Sequence, residues 1–354
     1  MQRSHIVLAW ICLFTSHLPA IAQGELIATR LQDVDEDFRW QGEYFGHVQP
    51  IDAYRPGGNV GLHVRSNGEG EFLVVEYPGG LPGSGWNRSF YYSLIAHRNG
   101  DELSVFGDGY TLAIDGGRAT VRSADGRRVL GLLHKVRRES PTLGATPPPG
   151  ARVLFNGSPD SGFVNPQFTE DGLLKIGTQT KEAYRDYLLH VEYRLPYMPK
   201  HNDQGRGNSG IYLQSRYELQ VLDSFALEGA INHCGSLYKL RRPDLNMCLP
   251  PLQWQTYDIE FRAPRFDEAG KKVQNAHISV RHNGVFVHYD IDIERKTGAG
   301  QPEGPRPLPI KLQDHGDPVV YRNVWIIPLG SDAAPSTASS SHGATNESAN
   351  YAGT

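Results

Sequence analysis

The segment Gly207-Asn-Ser-Gly-Ile-Tyr-Leu-Gln-Ser-Arg-Tyr-Glu-Leu-Gln-Val-Leu-Asp223 alternates apolar and polar side chains over its second half. Successive side chains of a strand point to opposite faces. Tyr217, Leu219 and Val221 therefore share an apolar face, and Arg216, Glu218 and Gln220 form a polar row on the other. That row faces either solvent or a wet cleft. Asp223 lies at the strand end, where a bulge could bring it onto the polar face.

The same rhythm extends to both sides. Leu188-Leu-His-Val-Glu-Tyr-Arg194, Thr256-Tyr-Asp-Ile-Glu-Phe261, Ala276-His-Ile-Ser-Val-Arg281 and Tyr321-Arg-Asn-Val-Trp-Ile-Ile327 read as strands, and Asn283-Gly284 turns the chain into Val285-Phe-Val-His-Tyr289. Upstream, Asn99-Gly100, Asp115-Gly116 and Asp125-Gly126 are hairpin signals between short alternating runs. Long amphipathic helices are absent. The expected fold is all-β, with a sandwich or jelly roll over 151–330 preceded by a smaller antiparallel β domain over 23–145. Thr146-Pro-Pro-Pro-Gly150 is the expected connector, stiff and without backbone donors at its prolines.

Composition agrees. The 354 residues include 39 Gly and 24 Pro, about 18 % against a usual ~12 %. Charged residues make up 21 % and the formal net charge is −4. With no basic excess to neutralise phosphates, nucleic acid is not an expected partner. Residues 1–22 have the plan of a cleaved signal peptide: Arg3, an apolar run from Ile6 to Phe14, and Ala20-Ile21-Ala22 before the cut. That run is too short to span a bilayer, and no membrane span is expected in the mature chain. The expected location is periplasmic or extracellular. In an oxidising compartment Cys234 and Cys248 would be expected to pair as a disulfide. Residues 331–354 carry no core formers and read as a disordered tail.

Several groups could do chemistry. Glu218 and Gln220 share the polar row with Arg216. Leu312-Gln-Asp-His-Gly-Asp-Pro-Val319 clusters Asp314, His315 and Asp317 ahead of the last strand, and a histidine suits general-base work or metal ligation near neutral pH. Alternatively, the two aspartates simply form the turn. His201-Asn-Asp-Gln-Gly205 is a polar loop that could rim a pocket. His282 and His233 read as structural. His288, Asp290, Asp292 and Glu294 read as one solvated strand face. There is no phosphate loop, dinucleotide fingerprint, H-E-x-x-H or G-x-S-x-G, which argues against kinases, dehydrogenases, zinc peptidases and α/β-hydrolases.

The E-x-Q-x-x-D spacing from Glu218 to Asp223 resembles the E-x-D-x-x-E strand of laminarinase-like retaining glucanases, but Gln220 stands where that mechanism needs an acid. A wider resemblance covers residues 152–328. Val153-Leu-Phe-Asn-Gly157, Gly207-Asn-Ser-Gly-Ile211, Tyr217-Glu-Leu-Gln-Val-Leu-Asp223, Cys234-Gly-Ser-Leu-Tyr238, Trp254-Gln-Thr-Tyr-Asp258, His282-Asn-Gly284, Leu312-Gln-Asp-His-Gly316 and Tyr321-Arg-Asn-Val-Trp325 follow in the order seen in the 3-keto-disaccharide hydrolase domain family. At Asp171-Gly-Leu-Leu174 the family's usual upstream Trp is missing. The resemblance implies a concanavalin-like jelly roll that cleaves 3-keto-glycosides by C2 proton abstraction, elimination and water addition. It implies an oligosaccharide or glycoside as partner. The catalytic candidates are Glu218, His315 and Asp223, and the substrate-binding candidates Asn208, Arg216, Gln220 and Tyr212. A divalent metal ion could assist, with Glu218, Asp223 and His315 as candidate ligands. The competing readings are a non-catalytic lectin-like protein and a retaining glucanase.

Overall fold

The computed structural model describes residues 25–52 and 55–330. The expected signal peptide over 1–22 and tail over 331–354 lie outside the described residues. The described residues are nearly all strand and loop, with only short 3-10 turns. No helix among them is long and apolar enough to cross a membrane.

The first half is a closed barrel. Strands β1 (Gly42–Val48), β2 (Gly58–Gly68), β3 (Glu71–Pro78), β4 (Tyr92–Asn99), β5 (Glu102–Gly107), β6 (Tyr110–Ile114), β7 (Arg118–Ser123) and β8 (Val129–Val136) pair in sequence order, and β8 returns to β1. The hairpin signals mark the turns at 99–101, 115–117 and 124–127. At the closing seam, a Cβ on Gly46 would meet the Leu132 carbonyl oxygen at 2.1 Å. One on Gly131 would meet the His47 oxygen at 2.5 Å. The backbones approach there as only glycine allows. Inward side chains, among them Tyr44, Leu62, Val64, Phe72, Val74, Leu103, Val105 and Leu112, fill the interior.

The second half is the expected jelly-roll sandwich. Its strands are β9 (Arg152–Phe155), β10 (Leu174–Lys175), β11 (Thr178–Ala183), β12 (Tyr187–Arg194), β13 (Ser209–Leu213), β14 (Tyr217–Val221), β15 (Trp254–Arg262), β16 (Arg265–Phe266), β17 (Lys272–Gln274), β18 (Ala276–His282), β19 (Val285–Ile293), β20 (Pro309–Leu312) and β21 (Val320–Pro328). The larger sheet runs β10-β21-β12-β15-β18-β19, with β9 also on β21. The smaller runs β11-β20-β13-β14, and β16 and β17 form a separate ribbon. Apolar faces meet between the two sheets: Leu189, Val191 and Tyr193 of β12 and Ile259 and Phe261 of β15 share a core with Ile211, Tyr217, Leu219 and Val221. The Tyr217 and Phe261 rings lie 5.6 Å apart. Each large side chain so buried contributes roughly 1.5–3 kcal/mol.

Two sequence expectations need correcting. Cys234 and Cys248 are buried free thiols, not a disulfide. The two thiols are neighbours in the core: Cys234 also lies 3.3 and 3.2 Å from the Tyr193 and Tyr257 hydroxyls, and Cys248 points at the Leu222 and Leu249 carbonyls. The face shared by His288 with Asp290 and Asp292 is broken by a register shift between β18 and β19. His288 is buried against the Gly235 carbonyl, while the two aspartates stay exposed around His277. The residues ahead of the proline run are fastened to the large sheet. Ser140 and Thr142 hydrogen-bond Thr256, Thr142 donates to Asp258, and the Gly144 amide donates to Glu192. His190, between Asp258 and Glu192 and stacked on Trp325, completes this fastening on the outer face of the large sheet.

Candidate active site

The polar row lies on the outward face of the smaller sheet. The β13–β14 register sets Tyr212 opposite Glu218 and Gly210 opposite Gln220. On the other side of β13, Lys311 of β20 pairs with Tyr212, and the Gln313 amide donates to the Gly210 carbonyl. Tyr212, Glu218, Gln220, Lys311 and Gln313 therefore converge on one surface. The far edge of β14 is covered by residues 235–238, whose backbone bonds to Glu218 and Gln220. That segment carries Tyr238 and Lys239 to the site.

The row is buried rather than solvated. Glu218 is 2 % exposed and Gln220 1 %. The Tyr212 hydroxyl donates to Glu218 Oε2 at 2.7 Å. Burial pushes the Glu218 carboxyl above its usual range, against the Tyr212 hydrogen bond and the nearby His315, Lys311 and Lys239. A Cβ on Gly210 would lie 2.6 Å from Glu218 Oε1 and 3.2 Å from Gln313 Oε1. The glycine leaves room for the carboxylate. Gln220 donates to Gln204 Oε1 at 3.1 Å and Asn208 Oδ1 at 3.3 Å. The Gln220 and Gln313 side-chain oxygens are buried without protein partners. Orphaned buried acceptors are costly, and a ligand's hydroxyl groups are the donors such a surface lacks.

The other candidates are placed as follows. Asn208 lies beside Gln220, its backbone N–H donating to Asp317 Oδ2 at 2.7 Å. Asp314 caps its own turn at Gly316, so the two aspartates have different tasks. His315 is exposed, within electrostatic reach of Glu218. Arg216 is turned to a loop: it donates to the Pro302 and Arg306 carbonyls and to Gln214. Asp223 is fully buried, accepting from Arg206 Nε at 2.6 Å and from the Phe225 amide. Glu218, Asp223 and His315 therefore do not make a cation-binding set. Among the described residues no group of three or more His, Cys, Asp or Glu is placed to hold a metal ion.

Residues 150–327, half of the chain, match the family model described as the 3-keto-alpha-glucoside-1,2-lyase-like domain. The chain belongs to that family. No curated protein matches the chain. Solved structures that match include three candidate glycosyl hydrolases from Parabacteroides distasonis ATCC 8503. The first is 33 % identical over 51 % of this chain and 85 % of its own, with a TM-score of 0.48. The second is 18 % identical over 51 % and 94 %, with a TM-score of 0.37. The third is 22 % identical over 51 % and 99 %, with a TM-score of 0.34. Membership in the keto-glucoside lyase-like family makes this a carbohydrate-active hydrolase.

Within the family domain, Gln204 comes from the 201–205 loop read as a possible pocket rim and meets Gln220, whereas sequence reasoning gave no role to two residues, Lys311 and Gln313. The signal for both was present: in Pro309-Ile-Lys-Leu-Gln313, Lys311 and Gln313 alternate with Ile310 and Leu312, which are buried in the core.

Proposed function

We propose that this chain cleaves 3-keto-glycosides, with the Glu218 carboxylate as the base. The observation that supports this reading best is the setting of Glu218: buried, held by one phenol, beside two unpaired amide oxygens and near the side chains of Lys311 and Lys239. A ketone at C3 acidifies the C2 proton. Glu218 takes that proton, and the electron pair passes into an enolate stabilised by the nearby positive charges. The enolate re-forms the ketone and expels the C1 substituent, whose oxygen leaves with a proton that His315, at the exposed rim, is suited to supply. Water then adds to the enone, its oxygen to C1 and a proton to C2, and the glycosidic bond is hydrolysed. Gln220 and Asn208 bind sugar hydroxyls. The leader read over 1–22 would place this reaction outside the cytoplasm.

The test compares a disaccharide with its 3-keto form. Only the keto sugar should be cleaved. Glu218→Gln should lower kcat/KM by roughly 10²–10⁴-fold with the fold intact. The base must be ionised and its pKa is raised, so kcat/KM should rise with pH through a value above the ordinary 4.5 of a glutamate. Full activity in Glu218→Gln removes the assignment. Binding of the keto sugar without release would favour the lectin-like reading, and cleavage of the unoxidised sugar a glucanase.

A further inference from the structure

The barrel's two ends differ. One is plugged by Trp40, which is buried against Phe72 beneath the Arg39 and Arg98 guanidiniums. The other opens on a cavity of about 210 Å³, lined among others by Gln49, Asn59, Glu76, Phe90 and Tyr92. Cavities for drug-sized ligands hold about 300–1,000 Å³, so this one suits a smaller body.

Glu76 has no evident structural reason to be there. On β3 the inward positions run Phe72, Val74, Glu76, so a carboxylate stands where the barrel otherwise carries core side chains. It is 9 % exposed, among Val60, Leu62 and Leu112, and burial pushes its pKa up. Among the described residues its side-chain hydrogen-bond partner is the Tyr110 hydroxyl, 2.7 Å from Oε2. A carboxylate on an apolar wall is costly unless it is satisfied, and this one also lines the open cavity.

We propose that the open end of the barrel is a second sugar-binding site, taking one ring of an uncharged saccharide. Charge selects the class. The Glu76 carboxylate repels an anionic ligand. Arg55, stacked over Tyr92 and Tyr110 at 4.6 and 4.9 Å and felt electrostatically by Glu76, already supplies the positive charge and disfavours a cationic one. What remains is a neutral molecule with hydroxyl donors for Glu76, Gln49 and Asn59 and an apolar face for Phe90. Phe90 is half exposed at the rim, edge-to-face with Tyr92 at 5.6 Å, and its exposed surface offers a ring for a sugar to stack on. The site lies on the barrel, outside the family domain, and does not depend on the chemistry at Glu218.

The test uses the full chain carrying Glu218→Gln, so that no sugar is consumed. Maltose, choline and glucuronate are titrated by saturation-transfer NMR. Trp86 fluorescence is a second readout, because its indole donates to the Phe90 carbonyl at 2.8 Å. Maltose should bind, with choline and glucuronate weaker. Phe90→Ala and Glu76→Gln should each weaken maltose by about tenfold. Phe90 is half exposed, so Phe90→Ala tests the site even where Glu76→Gln alters folding. Maltose affinity unchanged by both substitutions, absence of maltose binding, or preference for choline or glucuronate would overturn the proposal. With Glu218 restored, Phe90→Ala should still cleave the 3-keto disaccharide. If the unmutated chain cleaves nothing, the reading of the Glu218 site fails while the barrel titration stands.

Discussion

Asp223 shows how residue type and residue role can part. As a carboxylate just beyond the Glu218 strand it suits proton transfer, yet it is fully buried and accepts the Arg206 guanidinium and the Phe225 amide. Arg65 lies near the same pair, and its pKa is pushed down to about 10 by burial and by Arg206. Asp223→Ala would leave buried positive charge uncompensated. Urea denaturation should show a loss of about 3–5 kcal/mol. Asp223→Asn, assayed on the 3-keto disaccharide well below its melting temperature, should keep its turnover within a few-fold, whereas a hundredfold loss with the fold intact would restore Asp223 to catalysis. Sequence could mark Glu218, Gln220, Asn208 and Tyr212, because alternation assigns a strand's faces. It could not settle Asp223 or Arg216, whose tasks depend on loops far along the chain: Arg206 lies 17 residues from Asp223, and the Pro302 carbonyl 86 from Arg216.

At the scale of elements, register builds the site. A one-residue slip between β13 and β14 would send Glu218 into the core, and the Tyr212–Glu218 and Gly210–Gln220 pairs hold it in place. The hairpin turns through Gln214 and Ser215, both at positive φ. Neither is the glycine such a turn prefers. Side chains tie them down instead: Gln214 donates to the Tyr184 carbonyl at 2.9 Å and Ser215 to the Pro309 carbonyl at 2.8 Å. Gly210 needs no unusual backbone angle, so Gly210→Ala is a test of space alone. Its methyl group would displace the Glu218 carboxylate. We expect kcat/KM to fall about tenfold or more while the melting temperature barely moves. Unchanged turnover would mean that the carboxylate has slack to spare. The strands and hairpins were legible because their signals are local. Barrel closure was not, because the pairing of β1 with β8 joins segments about ninety residues apart.

At the scale of the whole molecule, the barrel and the jelly roll share structure. Val75 and Tyr77 of β3 belong to the same hydrophobic cluster as the sandwich core. His63 of β2 stacks on Phe225 at 4.6 Å. Tyr197 donates to Asp35 at 2.8 Å, and Arg206 reaches from the site loop to the Ser66 carbonyl at 3.2 Å while holding Asp223. That loop also carries Gln204, which meets Gln220, so the barrel helps to fix one wall of the site. Opening either half strips apolar cover and buried hydrogen bonds from the other. The full chain should therefore unfold in a single calorimetric transition whose calorimetric and van't Hoff enthalpies agree. Two resolved transitions, or a calorimetric enthalpy well above the van't Hoff value, would show that the interface is too weak to couple the halves, and the barrel's hold on the site loop would lose its basis.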